Sequence, residues 1–197
     1  SVFPVLCINS KHNMGVGRLL EFIANNIPAP NEMPPAESVD GKEFNYDASQ
    51  PASAFVFKTS IEPHLGEVAF FKVMAGEFKE GEDYMNANTQ NKERITQLYV
   101  FAGKNREKVD KLVAGDIGAT IKLKGTHTHH TLNSLKNPGV KFPPIEYPDP
   151  KFRQAIKAVN QADDEKLGLA LNEMHKVDQT IIAGYRKELR QMILEGQ

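Results

Sequence analysis

The sequence predicts a mainly β chain with an α+β remainder, and three observations carry that expectation. Ile117, Ala119, Ile121 and Leu123 alternate with Gly118, Thr120 and Lys122, the period-2 pattern of a half-buried strand. Short β-rich runs recur through residues 54–123 with small, turn-forming residues between them, which suits a small closed barrel better than an open sheet. After Asn137-Pro138 the pattern changes to strand, helix, strand, strand, the first part of a ferredoxin-like β-α-β-β-α-β unit.

The elements follow in chain order. Residues 2–8 read as a strand. Val16, Leu19, Leu20, Ile23 and Ile27 then form one helical stripe, with Asn13 available to cap its start and Pro28 to stop it. A strand and one helix cannot bury that stripe alone. Residues 28–52 hold Pro28, Pro30, Pro34, Pro35 and Pro51 and read as a connector without a periodic pattern. Strands are expected over 54–60, 66–75 and 93–101 and from 117, with a hairpin-like return between Gly76 and Gly81. Residues 104–111 are polar and read as a turn or short helical piece. Gly118 leaves room for a close backbone approach. Further on, a strand is expected at 152–160, a helix at 162–177, and strands at 180–185 and 191–194. Leu167, Ala170, Leu171 and Met174 share one face of that helix, and Asp163, Asp164 and Glu165 complement the positive end of its dipole.

Composition excludes several classes. Lys and Arg total 24 against 25 Asp and Glu, so no global field advertises a nucleic-acid partner, although local basic patches remain open. The single cysteine, Cys7, sits among Val5, Leu6 and Ile8; it reads as a small buried hydrophobe in a reducing, cytoplasmic setting. No apolar run reaches membrane-spanning length, and no signal-peptide layout is present. The chain opens straight into an apolar run and closes on Ile193-Leu194-Glu195-Gly196-Gln197, which predicts a mid-section of a longer protein.

The run Ala114-Gly115-Asp116-Ile117-Gly118-Ala119, followed by Thr126-His127-Thr128 and Thr131-Leu132, resembles the second-domain barrel of bacterial elongation factor G. Phe55-Val56-Phe57-Lys58, Val73 through Gly76 to Gly81, and Glu93-Arg94-Ile95 extend the resemblance. Phe3-Pro4-Val5-Leu6-Cys7 to Gly15-Val16 and Leu19-Leu20 resembles the last strand and helix of the family's GTPase domain. Pro143 to Pro150, Asp164-Glu165-Lys166-Leu167-Gly168 and Asp178-x-Thr180-Ile181 resemble its third domain. The resemblance implies a strand-helix remnant of an α/β GTPase domain at 1–28, a connector at 29–52, a translation-factor β-barrel (domain II) at 53–137, and a truncated ferredoxin-like βαββ unit at 138–197.

It also implies a function and a set of sites. The longer protein would bind GTP with magnesium and promote GTP-dependent translocation on the ribosome, its barrel resting on small-subunit ribosomal RNA. This segment would dock and relay rather than hydrolyse, because it has no Gly-x-x-x-x-Gly-Lys-Ser/Thr loop to cradle phosphates. No catalytic residue, no metal site and no cofactor is expected on the segment itself. Asn9, Ser10 and Lys11 fall at the family's guanine-base loop, where Asn9-Ser10 departs from the family's Ser-Ala. Lys104, Arg106, Lys108, Lys111, Lys122 and Lys124 are candidates for a phosphate-facing patch, and Arg186, Lys187 and Arg190 share that reading.

Three alternatives stay open. One is a divergent paralogue acting in ribosome recycling or protection, which Asn9-Ser10 and His129-His130 favour, the latter standing where the family has Gly-Asp. Another is a stand-alone RNA- or ribosome-binding module. The third is a metal site at His127, His129 and His130, against which an exposed turn is preferred, since tetrahedral sites need three or four convergent ligands.

Overall fold

The computed structural model describes residues 3–62 and 64–196. The chain divides into two compact units, Ser1–Pro35 and Ala36–Gln197.

In the first unit a 3₁₀ turn, Ser10–His12, precedes helix α1, Val16–Asn26. The strand expected over residues 2–8 is not formed at residues 3–8, and Val2 lies outside the described residues. A strand exists only as a paired ladder, and the bridge found here joins Asn9 to Met14. Asn13 does not cap the helix. It takes a left-handed φ of 53° and closes the 3₁₀ turn, while Gly15 is the N-cap of α1. The helix ends at Asn26, with Ile27 extended before Pro28, as a residue preceding proline prefers. Within the unit, Leu20, Ile23 and Ile27 stay exposed. Cys7, expected to be buried, is exposed as well, because among the described residues of its unit no strand pairs with the apolar run around it.

The second unit begins with a hairpin of β1 (Ala36–Glu37) and β2 (Glu43–Phe44). Next come β3 (Ser53–Glu62), β4 (Gly66–Ala75), β5 (Glu77–Lys79), β6 (Asp83–Asn86) and β7 (Asn91–Arg94). They are followed by β8 (Leu98–Ala102), β9 (Asn105–Val109), β10 (Lys111–Val113), β11 (Ile117–Ile121) and β12 (Thr131–Ser134). An antiparallel sheet runs in the order β7-β6-β12-β3-β4-β11-β8-β9, and β5 pairs with β10 as a separate ribbon. Val56, Phe71, Val73, Tyr84, Ile95, Leu98 and Leu132 meet Phe78 and Leu112 of the ribbon in one core. The Phe78 and Tyr84 rings stack 4.1 Å apart. Because strands from both ends of the sheet line the same core, the sheet must curl round it. The result is barrel-like, with the ribbon covering the core. Each such buried side chain contributes about 1.5–3 kcal/mol.

Four local expectations are corrected. Residues 93–101 form two strands, because β7 pairs with β6 and Ile95 closes that hairpin on Glu82 (3.0 Å) and Gly81 (2.7 Å), whereas β8 changes partners to β9 and β11. Residues 104–111 are not a turn or helix. Asn105 to Val109 pair with β8 as an edge strand, whose polarity reflects exposure. The alternation at β11 fails: Gly118, Ala119, Thr120 and Ile121 are all buried while Ile117 is exposed. β11 is a central strand covered on both faces. A Cβ at Gly118 would run into the Leu112 side chain and lie 3.1 Å from the Tyr99 carbonyl. Finally, the connector is partly structured. Phe44 is buried edge-on against Phe142, 5.2 Å between rings, and the Val39 N–H donates to the Lys141 carbonyl at 2.8 Å.

Beyond the barrel lie β13 (Phe152–Ile156), α2 (Asp164–Val177), β14 (Ile182–Arg186) and β15 (Gln191–Gly196). The strand order is β13-β15-β14, antiparallel throughout. That is the order of the opening β-α-β-β of a ferredoxin-like unit. β13 stops at Ile156, short of the expected Asn160. Among the described residues of these elements Leu171 and Ile193 are buried, whereas Phe152, Leu169 and Tyr185 are exposed.

Gly76 sets the corner between β4 and β5. Its φ is +70°, and a Cβ there would sit 2.6 Å from the Ala52 backbone. Gly76→Ala should therefore cost about 2–4 kcal/mol, combining left-handed strain with displaced main chain. Gly81→Ala, at φ +81° in open space, should cost about 1–2 kcal/mol. Urea unfolding followed by circular dichroism measures both, and equal costs would contradict the packing described.

Candidate functional site

The loop holding Asn9, Ser10 and Lys11 is built from its own backbone. Asn9 exchanges both main-chain hydrogen bonds with Met14, at 2.9 and 3.0 Å, and its Oδ1 accepts from the His12 N–H at 3.2 Å. Among the described residues, the N–H groups of Ser10 and Lys11 have no internal acceptor. They are the opening donors of the 3₁₀ turn, which have no partner within the turn itself. The loop lacks the glycine-rich cradle that phosphates need.

The six basic candidates do not converge. In the β9–β8–β11 ladder, Val109 faces Leu98, which faces Thr120. This register places Lys104 and Arg106 toward one end of the strands and Lys122 and Lys124 past the other, roughly 20 Å apart at about 3.3 Å per residue. Lys108 is ion-paired with Glu80 at 2.8 Å, and Lys111 with Glu77 at 3.3 Å. Glu80 lifts the Lys108 ammonium above its ordinary range, and the Lys111 and Lys79 ammoniums hold Glu77 below its own. Arg106 lies over the Tyr99 ring, 6.0 Å from its centroid. Lys104, Lys122 and Lys124 have no carboxylate partner among the described residues. The patch is thus two separate groups, with its middle already neutralised.

The better-built feature lies between β11 and β12. Glu93, on β7, is 2% exposed. Its Oε2 accepts from the Lys124 N–H at 3.0 Å, and its Oε1 from the Gly125 N–H at 2.9 Å and the Thr126 hydroxyl at 3.0 Å. Thr126 accepts in turn from Asn86 Nδ2 at 3.0 Å, and the same amide group lies 3.0 Å from His130 Nδ1. The His127 N–H also donates to His130 Nδ1, at 3.2 Å. His129, at φ 73°, stacks on Phe55 and sits 3.3 Å from the Tyr147 hydroxyl. The residues 127–130 therefore form the expected turn, but a half-buried one rather than an exposed one. With His130 Nδ1 occupied by N–H donors, the three imidazoles do not share a cation position, and no metal-holding group occurs among the described residues.

This turn connects to α2. Thr128 is buried, and its hydroxyl oxygen accepts from the Thr59 N–H at 3.0 Å and lies 3.1 Å from the Thr59 hydroxyl. The Thr59 hydroxyl donates to the Lys176 carbonyl at the end of α2, at 2.8 Å. A cleft of about 220 Å³ opens beside this contact, lined by Ser60, Glu67, Glu173 and Val177 among others. Sequence reasoning missed Glu93, Asn86, Thr59 and Thr128 as a group. One signal was available: Glu93 shares strand parity with Ile95, which puts a carboxylate on the core face.

Against this geometry, residues 51–135 match the family model described as elongation factor G domain 2. Over 199 aligned residues the chain is 33% identical to "Elongation factor G" of Ureaplasma urealyticum serovar 10, covering 99% of this chain. The chain is similar to elongation factor G along nearly its whole length. A second relative, "Elongation factor G" of Ureaplasma parvum serovar 3, is 32% identical over the same span. The chain spans 29% of the length of these curated relatives. A crystal structure of a Thermus thermophilus protein superposes with a TM-score of 0.74 at 27% identity, covering 94% of this chain and 26% of that one. The resemblance read from the sequence is borne out, as is the mainly β, barrel-like fold. No helix among the described residues is long and apolar enough to cross a membrane.

Glu93→Gln should lower stability by about 1–3 kcal/mol, because an amide N–H₂ would face backbone donors where a carboxylate accepted. Thermal or urea unfolding checks this, and an unchanged midpoint would show that the network is incidental.

Proposed function

We propose that this chain is the docking and relay section of an elongation factor G-like translation factor. In this reading residues 1–28 close a GTPase domain, 29–52 connect, 53–137 are domain II, and 138–197 begin a third domain. GTP and magnesium are held by other parts of the longer protein, with the loop of Asn9, Ser10 and Lys11 touching the guanine base through the backbone N–H groups of Ser10 and Lys11, the Asn9 N–H being spent on Met14. Domain II rests on small-subunit ribosomal RNA in the cytoplasm. Hydrolysis elsewhere drives translocation, and the contact from Thr128 through Thr59 to α2 transmits force between barrel and third domain.

The observation that carries the reading is continuity. One relative named elongation factor G aligns along 99% of the chain, which supports reading all of it as one continuous stretch of such a protein. A second reading, a divergent paralogue in ribosome recycling or protection, draws support from His129-His130 and Asn9-Ser10.

Binding to isolated small ribosomal subunits tests the docking role. Lys104→Ala with Arg106→Ala should weaken binding several-fold and shallow the log–log salt slope by roughly 1.5, because neither cation faces a carboxylate among the described residues. Lys108→Ala with Lys111→Ala should change it much less, since those ammoniums already face carboxylates. Absence of any salt-dependent binding by the unaltered chain would remove the proposal.

A further inference from the structure

We propose that the 127–130 turn is an acid-sensitive latch: proton uptake at His130 Nδ1 frees Thr128 from Thr59 and loosens the barrel from α2.

The geometry of the ring nitrogen carries this. Nδ1 faces two N–H groups, from Asn86 Nδ2 at 3.0 Å and the His127 backbone at 3.2 Å, so it holds its place only with a bare lone pair. A proton there sets three donors against one another, and the turn must open. The turn is otherwise pinned by the His129 N–H on the Val56 carbonyl, at 2.7 Å, and the Val56 N–H on the His130 carbonyl, at 2.9 Å. These flank Thr128, whose hydroxyl is the contact to Thr59 and through it to the Lys176 carbonyl.

The charged surroundings set the direction. Burial, then the neighbouring His127 and His129, push His130 below the ordinary imidazole value of 6.5, while Glu93 and the Gly125 backbone oppose that shift. His127 Nδ1 lies 3.5 Å from Glu67 Oε1 of β4. On α2, Glu173 and Lys176 line the adjoining cleft, and His175 Nδ1 sits 2.6 Å from the Ile181 carbonyl. An unfolded chain takes up this proton at higher pH than the folded one. The stabilisation is therefore complete above pH 6.5 and is lost as pH falls below it.

Nitrogen NMR of the whole chain from pH 7.5 to 5, with a His130→Asn variant beside it, is the test. Asn supplies an acceptor of similar reach that does not titrate. The expected result is an unprotonated Nδ1 at pH 7.5, with the Thr59 amide shift following the His130 titration. In the variant that coupled shift is lost, and the acid-induced fall in Tm is smaller by about 3 °C. A protonated Nδ1 at pH 7.5, a Thr59 amide indifferent to His130, or the same pH response in the variant would overturn the latch. Should the variant fail to fold, the ring tautomer and the Thr59 titration in the unaltered chain decide the matter.

Discussion

A carboxylate almost wholly out of water organises the loop between β11 and β12. Glu93 is 2% exposed, and no cation pairs with it among the described residues. Such a group is tolerated only when enough donors replace its lost hydration. Three do so: two backbone N–H groups and the Thr126 hydroxyl. Meeting that demand folds residues 124–126 back over β7, and the rest of the loop follows. Asn86 then bridges Thr126 to His130, and the turn that His130 holds delivers Thr128 to Thr59.

The same economy explains why the barrel is attached to α2 by so little. The Thr59 hydroxyl on the Lys176 carbonyl is a single neutral hydrogen bond, worth about 0.5–1.5 kcal/mol net. Its neighbours are a cleft and the exposed side chains of Ile61, Met174 and Val177. A joint of that kind is weak enough to be shifted, as the proposed relay requires. By contrast, the barrel core is closed by Phe78, Tyr84 and Phe71 and gives no such freedom.

How legible this was depended on whether a residue's neighbours are close in sequence. α2 and the strands β14 and β15 were readable because their patterns are local. The barrel family was readable from small-residue turns at Gly76, Gly81 and Gly115-Asp116, where backbone geometry restricts the choice of side chain. β9 was missed because an exposed edge strand carries polar residues and so lacks alternation. β11 was read with the wrong burial because Leu112, although only six residues from Gly118, is set over the second face by the pairing of β10 with the distant β5. The strand at residues 3–8 failed for a related reason, since no described strand of its own unit pairs with it. The basic residues could be picked out from the sequence, but their separation to opposite ends of a ladder is a matter of register, which one-dimensional spacing does not encode.

The claim on which all of this turns is that the buried carboxylate and the threonine joint are one mechanical system. A double-mutant cycle between Glu93→Gln and Thr59→Val, read by unfolding free energies, measures that connection most directly. The account predicts non-additivity of more than about 0.5 kcal/mol, because releasing the loop at Glu93 should leave Thr59 with little left to lose. Strict additivity would mean that the loop and the joint are independent features that happen to share a turn.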